Sequence, residues 1–177
     1  DRHGEATSYT NLGVLLILLG KYDKAREYLE KALAIKIENG DRKGEAAIYG
    51  NLGIVFQRLD KYDKAREYLE KALAIQIEIG DSHGEAKSYG GLGTVFQSLG
   101  KYEKAREYLE KALAIQIEIG HRNGEAKSYA NIGILFMSLY KYDKAREYLE
   151  KALAIKIENG DRNGEATSYT NLGTVFI

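Results

Sequence analysis

Lys21-Tyr-Asp-Lys-Ala-Arg-Glu-Tyr-Leu-Glu-Lys-Ala-Leu-Ala-Ile35 returns at 61–75, 101–115 and 141–155, and the only change across these copies is Glu103 for Asp. A second marker keeps the same spacing: Asn11-Leu-Gly13, Asn51-Leu-Gly53, Gly91-Leu-Gly93, Asn131-Ile-Gly133 and Asn171-Leu-Gly173. Self-similarity at a fixed period signals a stacked array, in which each unit buries its apolar side against its neighbours. The 177 residues divide into units 1–40, 41–80, 81–120 and 121–160 and a truncated half-unit 161–177. The expectation is one array over 1–177.

Each unit reads as two helices. The first spans about 2–19, with Ala6, Tyr9, Leu12, Gly13, Leu16 and Leu19 at the three-and-four spacing of one helical face. The second spans about 22–38 and presents Tyr22, Ala25, Tyr28, Leu29, Ala32 and Leu33 to the core. Gly20 breaks the first helix, Gly40 ends the second, and Asp41 is placed to cap the helix that follows. Proline is absent, so nothing interrupts the helices except this glycine punctuation. Turns this short force consecutive helices to run antiparallel. The fold class is therefore all-α, an α-solenoid of antiparallel helix hairpins.

Composition narrows the function classes. Lys plus Arg equals Asp plus Glu at 26 each, giving no net charge. That argues against the broad basic surface a nucleic-acid binder uses against phosphates, including a helical-repeat RNA reader, and equally against a polybasic membrane-surface segment. Val14–Leu19 is the longest apolar run and is far too short to span a bilayer. Without cysteine there is no thiolate metal site and no thiol nucleophile. His3, His83 and His121 have no metal-ligand spacing. Glu27 and Glu30 recur in every unit, as scaffold charges do. The expectations are no catalytic residue, no metal site, no cofactor, no nucleic-acid partner and no membrane partner.

Tyr9-x-x-Leu12-Gly13-x-x-Leu16, Gly20, Tyr22, Ala25, Leu29 and Ala32, repeated in every unit, resemble the tetratricopeptide repeat pattern. Two features depart from it. Ile37 stands where a proline often closes the second helix, and the unit is forty residues long. The longer unit with its Gly-Asp junction is similar to the variant found in kinesin light chains and in the spindle adaptors LGN and Pins. The resemblance implies a right-handed superhelix whose concave, first-helix surface binds protein or peptide ligands, and a cytoplasmic setting.

The array also supplies its own comparison. Variation among units concentrates at the sites of His3, Thr7, Thr10, Val14, Ile17 and Leu18, which fall within about ±50° of one direction on the first helix. That free face carries Gln57 and Arg58 in the second unit, Lys87 and Gln97 in the third and Lys127 in the fourth. Small residues such as Ala47, Gly50, Gly90 and Ala130 leave room for a ligand backbone. Asn11, Asn51, Asn131 and Asn171 border the face, and Gly91 interrupts the series. Two roles are open for these amides: holding a ligand, as the resemblance implies, or bonding neighbouring helices in a ladder. Arg58, Lys87 and Lys127 are candidates for acidic groups of a partner.

The functional expectation is a scaffold binding a peptide or helical segment on the first-helix face. The alternative is a spacer, self-associating arm or sensor arm of a larger protein. The chain begins in register at Asp1 and stops inside a fifth first-helix at Ile177, which reads as an excerpt of a natural array; a designed consensus array is the other origin. Tyr169, Leu172 and Phe176 in that last helix lack a following second helix to cover them. This predicts self-association through the C-terminal end. The turn sites of Gly20, Asp60, Gly100 and Tyr140 are expected to adopt positive φ, with strain at Tyr140.

Overall fold

The computed structural model describes residues 2–175. Among them are nine α-helices and no strand: α1 (Arg2–Leu18), α2 (Tyr22–Glu38), α3 (Arg42–Arg58), α4 (Tyr62–Ile79), α5 (Ser82–Ser98), α6 (Tyr102–Glu118), α7 (Arg122–Ser138), α8 (Tyr142–Glu158) and α9 (Arg162–Val175). The odd-numbered helices are the first helices of their units and the even-numbered ones the second. Two compact bodies divide the chain, one running up to Gly91 and the other from Leu92 onward.

In the first body α2 packs between α1 and α3, and α3 packs on α4. The core joins Ala25, Leu29 and Ala32 of α2 to Ile48, Leu52 and Val55 of α3. Gly53 shows why the Leu-Gly pair recurs. A Cβ there would sit 2.7 Å from Leu69 Cγ, so only glycine lets α3 and α4 approach this closely. The equivalent Gly173 has no such neighbour within 4 Å, because no second helix follows it among the described residues.

The helix ends are chemically explicit. Asp41 Oδ1 accepts from the Gly44 backbone N–H at 2.8 Å, the expected N-cap, and Asp81 and Asp161 cap α5 and α9 in the same way. Asp60 and Tyr140 adopt φ of 56°, as the turn sites of Gly20 and Gly100 led us to expect. A residue at the last turn of the second helix escapes the periodicity reading. Lys36 is buried in line with Ala25, Leu29 and Ala32, and its Nζ reaches Asp41 Oδ2 at 2.6 Å. This bond, together with the Gly44 N–H, holds the Asp41 carboxyl below the usual range; the Lys156 ammonium does the same for Asp161. At the matching sites Gln76 bonds the Ser88 hydroxyl at 2.6 Å, and Gln116 Oε1 lies 2.9 Å from His121 Nδ1.

The ends of a unit are clasped by charge. Arg42 donates to Glu45 at 2.7 Å and to Glu78, at the far end of the same hairpin, at 2.6 Å. Arg2 pairs with Glu38 in the same way, and Arg122 with Glu125 and Glu158. Along the second helices, favourable i, i+4 pairs occur as Glu67–Lys71, Glu107–Lys111 and Glu147–Lys151, at 2.7 to 2.8 Å. Lys71 also lies over the Tyr49 and Tyr68 rings. The recurring tyrosines Tyr9, Tyr28, Tyr49 and Tyr68 are half-buried rather than fully in the core.

One expectation needs correction. Within a body, Leu12-type residues take their cover from the second helix of the preceding unit, as Leu52 does from Ala25, Leu29 and Ala32 of α2. Leu52, Leu92 and Ile132 are fully buried, whereas Leu12 is 42% exposed, and Leu15 and Leu19 are exposed beside it. At the other end Leu172 is only 8% exposed, because α8 precedes it and packs on α9. The residue left uncovered there is Tyr169, 57% exposed; Phe176 lies outside the described residues.

Candidate partner-binding face

The variable sites of the first helices face solvent in each body, opposite the packed stripe. In the body ending at Gly91, Asn11 is exposed on α1, Asn51 and Gln57 are half-buried on α3, Arg58 is exposed on α3, and Lys87 is exposed on α5. Ile17 departs from its free-face assignment, since it is partly buried against the core cluster. In the body starting at Leu92, Gln97 is half-buried on α5, Lys127 exposed and Asn131 half-buried on α7, and Asn171 half-buried on α9.

What these groups already bond decides what they have left to offer. Among the described residues, Arg58, Lys87 and Lys127 make no ion pair, whereas the basic groups of the second helices recurrently find carboxylates. Among the same residues, no hydrogen bond joins the side chains of Asn11, Asn51, Asn131 or Asn171 to a neighbouring helix. The amides border the face without forming a ladder. Gln97 is different: its Nε2 donates to Ser138 Oγ at 3.0 Å, tying α5 to α7. The hydroxyls on this face turn inward as well. Thr10 and Thr167 donate to backbone carbonyls four residues back at 2.8 and 3.0 Å, and Ser138 does so at 3.2 Å. The face therefore offers amides and ammonium groups more than hydroxyls.

The second body gathers two of the expected residues into one place. Lys127 and Asn171 line a cleft of about 300 Å³ between α7, α8 and α9, with Ala126 and Ala130 as small walls and Thr167 opposite. Asn131 lies one residue beyond the lining. Asn123 and Lys156 belong to the cleft but were not singled out from the sequence. Both are already engaged: Asn123 Oδ1 accepts from Asn159 Nδ2 at 3.0 Å, and Lys156 pairs with Asp161 at 2.8 Å. That leaves the Lys127 ammonium and the Asn171 amide as the uncommitted polar groups of the lining. Among the described residues no group of three or more side chains is arranged to hold a metal ion, and no helix is long and apolar enough to cross a membrane.

Comparison with known proteins agrees with this architecture. The family model described as tetratricopeptide repeat matches residues 1–38, 44–118 and 124–177. A search of curated proteins finds no match. Among solved structures, BtubC (BKLC) from P. vanneervenii is 27% identical with a TM-score of 0.83, over 99% of this chain and 73% of that one. A putative kinesin light chain from Podosopora anserina with nearly identical TPR-like repeats is 21% identical with a TM-score of 0.78, over 99% of this chain and 87% of that one. A Rap protein solved in complex with competence and sporulation factor is 18% identical with a TM-score of 0.88, over 97% of this chain and 48% of that one. At such identities the last two show the fold alone. Forty-residue units of antiparallel hairpins, Leu-Gly close approaches and a family match along nearly the whole sequence converge: the chain belongs to the tetratricopeptide repeat family.

Proposed function

We propose that the chain is a non-enzymatic scaffold that binds an extended or helical segment of a partner protein on the free face of its first helices. Tetratricopeptide repeats are generally interaction scaffolds, and this supports the class. The observation that carries the finer reading is the contrast between bonded and unbonded polar groups. Several second-helix charges pair with one another, while among the described residues no ion pair engages Arg58, Lys87 or Lys127 and no hydrogen bond engages the side chains of the border asparagines. An amide both donates and accepts, so each asparagine suits a ligand backbone, and the three cations suit acidic side chains.

The test is capture from a displayed peptide array by the parent chain and by the triple variant Arg58→Glu, Lys87→Glu and Lys127→Glu. Exposed substitutions of this kind typically change stability by under about 0.5 kcal/mol. Binding should therefore weaken while thermal unfolding stays nearly unchanged. Equal capture by both proteins would remove the basic residues from the site.

A second reading, self-association, rests on the exposed Tyr169 at one end and on Leu12, Leu15 and Leu19 at the other. Residues equivalent to Leu12 and Leu15 are fully buried in the inner units.

A further inference from the structure

We infer that Asn39–Gly40 is a site of spontaneous covalent modification, where the asparagine side chain closes on the following backbone nitrogen and loses ammonia. The chain holds four Asn-Gly pairs: Asn39–Gly40, Asn123–Gly124, Asn159–Gly160 and Asn163–Gly164. Glycine leaves the attacking nitrogen least shielded, because it has no Cβ. The fold restrains three of the four pairs and leaves the first open.

Asn123 and Asn163 lie in the first turns of α7 and α9. Ring closure requires rotation about the bond between the asparagine Cα and its carbonyl carbon, and inside a helix that rotation breaks the turn. Gly164 has a further tie, since its N–H donates to Asp161 Oδ1 at 2.9 Å. Asn39 and Asn159 stand outside the helices as the C-caps of α2 and α8, with φ, ψ of −84°, −3° and −82°, −5°. Both are exposed. Their glycines take φ of 65° and 66°, and each N–H donates to a carbonyl, that of Ile37 or Ile157, at 3.0 Å. Apart from the adjoining residues, no heavy atom lies within 4 Å of where a Cβ on either glycine would sit, so both turns have room for a ring. One difference separates this matched pair. Asn159 Nδ2 donates to Asn123 Oδ1 at 3.0 Å, whereas the first unit has His3 at the site of Asn123. Among the described residues no hydrogen bond engages the Asn39 side chain.

The reaction needs only water. The Gly40 nitrogen gives its proton to water and attacks Asn39 Cγ. The N–Cγ bond forms, the Cγ–Nδ2 bond breaks, and Nδ2 takes up a proton and leaves as ammonia, so the product is a cyclic succinimide. Water then opens the ring at Cγ, giving aspartate at position 39, or at the main-chain carbonyl, giving isoaspartate with an extra methylene in the backbone. Either product places a negative charge at the C-terminal end of α2, beside Glu38, where the helix dipole disfavours it. The lengthened backbone falls between Lys36 and Asp41, whose main-chain bond at 2.9 Å and ion pair at 2.6 Å close this turn. The modification therefore loosens the junction of the first two units, irreversibly and with time.

The experiment ages the whole chain in buffer at physiological pH and temperature, digests it and maps it by electron-transfer mass spectrometry, which separates asparagine, aspartate and isoaspartate at each position. Released ammonia is assayed in parallel. Asn39 is expected to convert first, to a mixture of aspartate and isoaspartate, and Asn39→Gln should remove the early ammonia. A neutral hydrogen bond that must break before attack slows the step roughly fivefold, so Asn159 should trail Asn39 by about that factor. Asn123→Ala removes the acceptor and should bring Asn159 up to the Asn39 rate, with circular dichroism confirming the helices. Asn159 converting as fast as Asn39 in the parent chain, or unmoved by Asn123→Ala, would overturn the assignment. So would faster conversion at Asn123 or Asn163, or an Asn39 that stays intact as long as they do.

Discussion

Tyr140 offers a measurement of backbone strain in the fourth unit. It holds φ of 56° at a turn where Gly20 and Gly100 take 69° and 70°. For a residue with a Cβ, the left-handed region costs roughly 1–2 kcal/mol. The ring returns little, since the residue is 80% exposed and its visible partner is Tyr142 at 6.3 Å. An edge-to-face pair this open sits at the lower end of the aromatic range, about 0.5 kcal/mol. Tyr140→Ala removes the ring and keeps the Cβ, so it should lose about 0.5 kcal/mol relative to the parent. Tyr140→Gly removes both and gains the strain, less about 0.4–1 kcal/mol for the freer unfolded chain. Glycine should therefore exceed alanine by roughly 0.5–1 kcal/mol and the parent chain by a few tenths. Urea denaturation followed by circular dichroism gives the ordering. Amide exchange at 139–145 localises it, which matters because repeat arrays depart from two-state unfolding. Alanine as stable as glycine at this position would refute the strain argument. Asp60 shares the same φ, but its carboxylate accepts from the Tyr62 hydroxyl at 2.8 Å, so Asp60→Gly is expected to gain less.

Leu52→Ala should cost about 2–5 kcal/mol because its side chain is fully buried, whereas Leu12→Ala at the same register should cost well under half as much; paired denaturation curves check the asymmetry. Asp41 and Asp161 have depressed native pKa values, so their contribution to stability is present above the ordinary Asp value and is lost as pH falls through the native one. Lys36→Met should raise the Asp41 pKa toward normal and flatten that acid limb, read from carboxyl NMR titration; an unmoved Asp41 would show that the Gly44 N–H alone sets it. Sedimentation velocity over a hundredfold concentration range should reveal association through the open ends, and Tyr169→Lys with Leu12→Lys should abolish it. A monomer throughout would exclude self-association.

Much of the architecture was legible because the array repeats its own punctuation. Gly20, Gly40 and Asp41 marked helix boundaries that the structure places within a residue or two, and Asp41 caps as its position implied. Other features were not legible, for identifiable reasons. Periodicity tells that Leu12 and Tyr9 are packing residues, but not which neighbouring helix covers each. Hence Leu172 was expected in water and is buried. Lys36 continues the stripe of Ala25, Leu29 and Ala32, yet its charge disguised it, and its partner Asp41 becomes visible only once the Gly40 turn is folded. The Arg42–Glu78 clasp links residues thirty-six apart, a relation that no local pattern encodes. At the candidate face, the helical clustering of variable sites identified the exposed side. The cleft at Lys127 and Asn171 depends on the space left between three helices, and a single helical wheel cannot show it.

The buried Lys36 has a consequence for how such a chain can change its length. Its contacts fall on the first residues of whichever unit comes next, and those residues are nearly interchangeable. Excising 41–80 would join Gly40 to Asp81, restoring an ammonium–carboxylate pair five positions apart, with Leu92 in the register of Leu52. Misaligned recombination between two copies of the frozen second-helix segment also deletes or inserts forty residues, and there the existing junction is kept, with Gln76 still preceding Asp81. Copy number can drift in whole units while the interior chemistry stays constant, and selection is left to act on the first-helix face that each gained or lost unit carries.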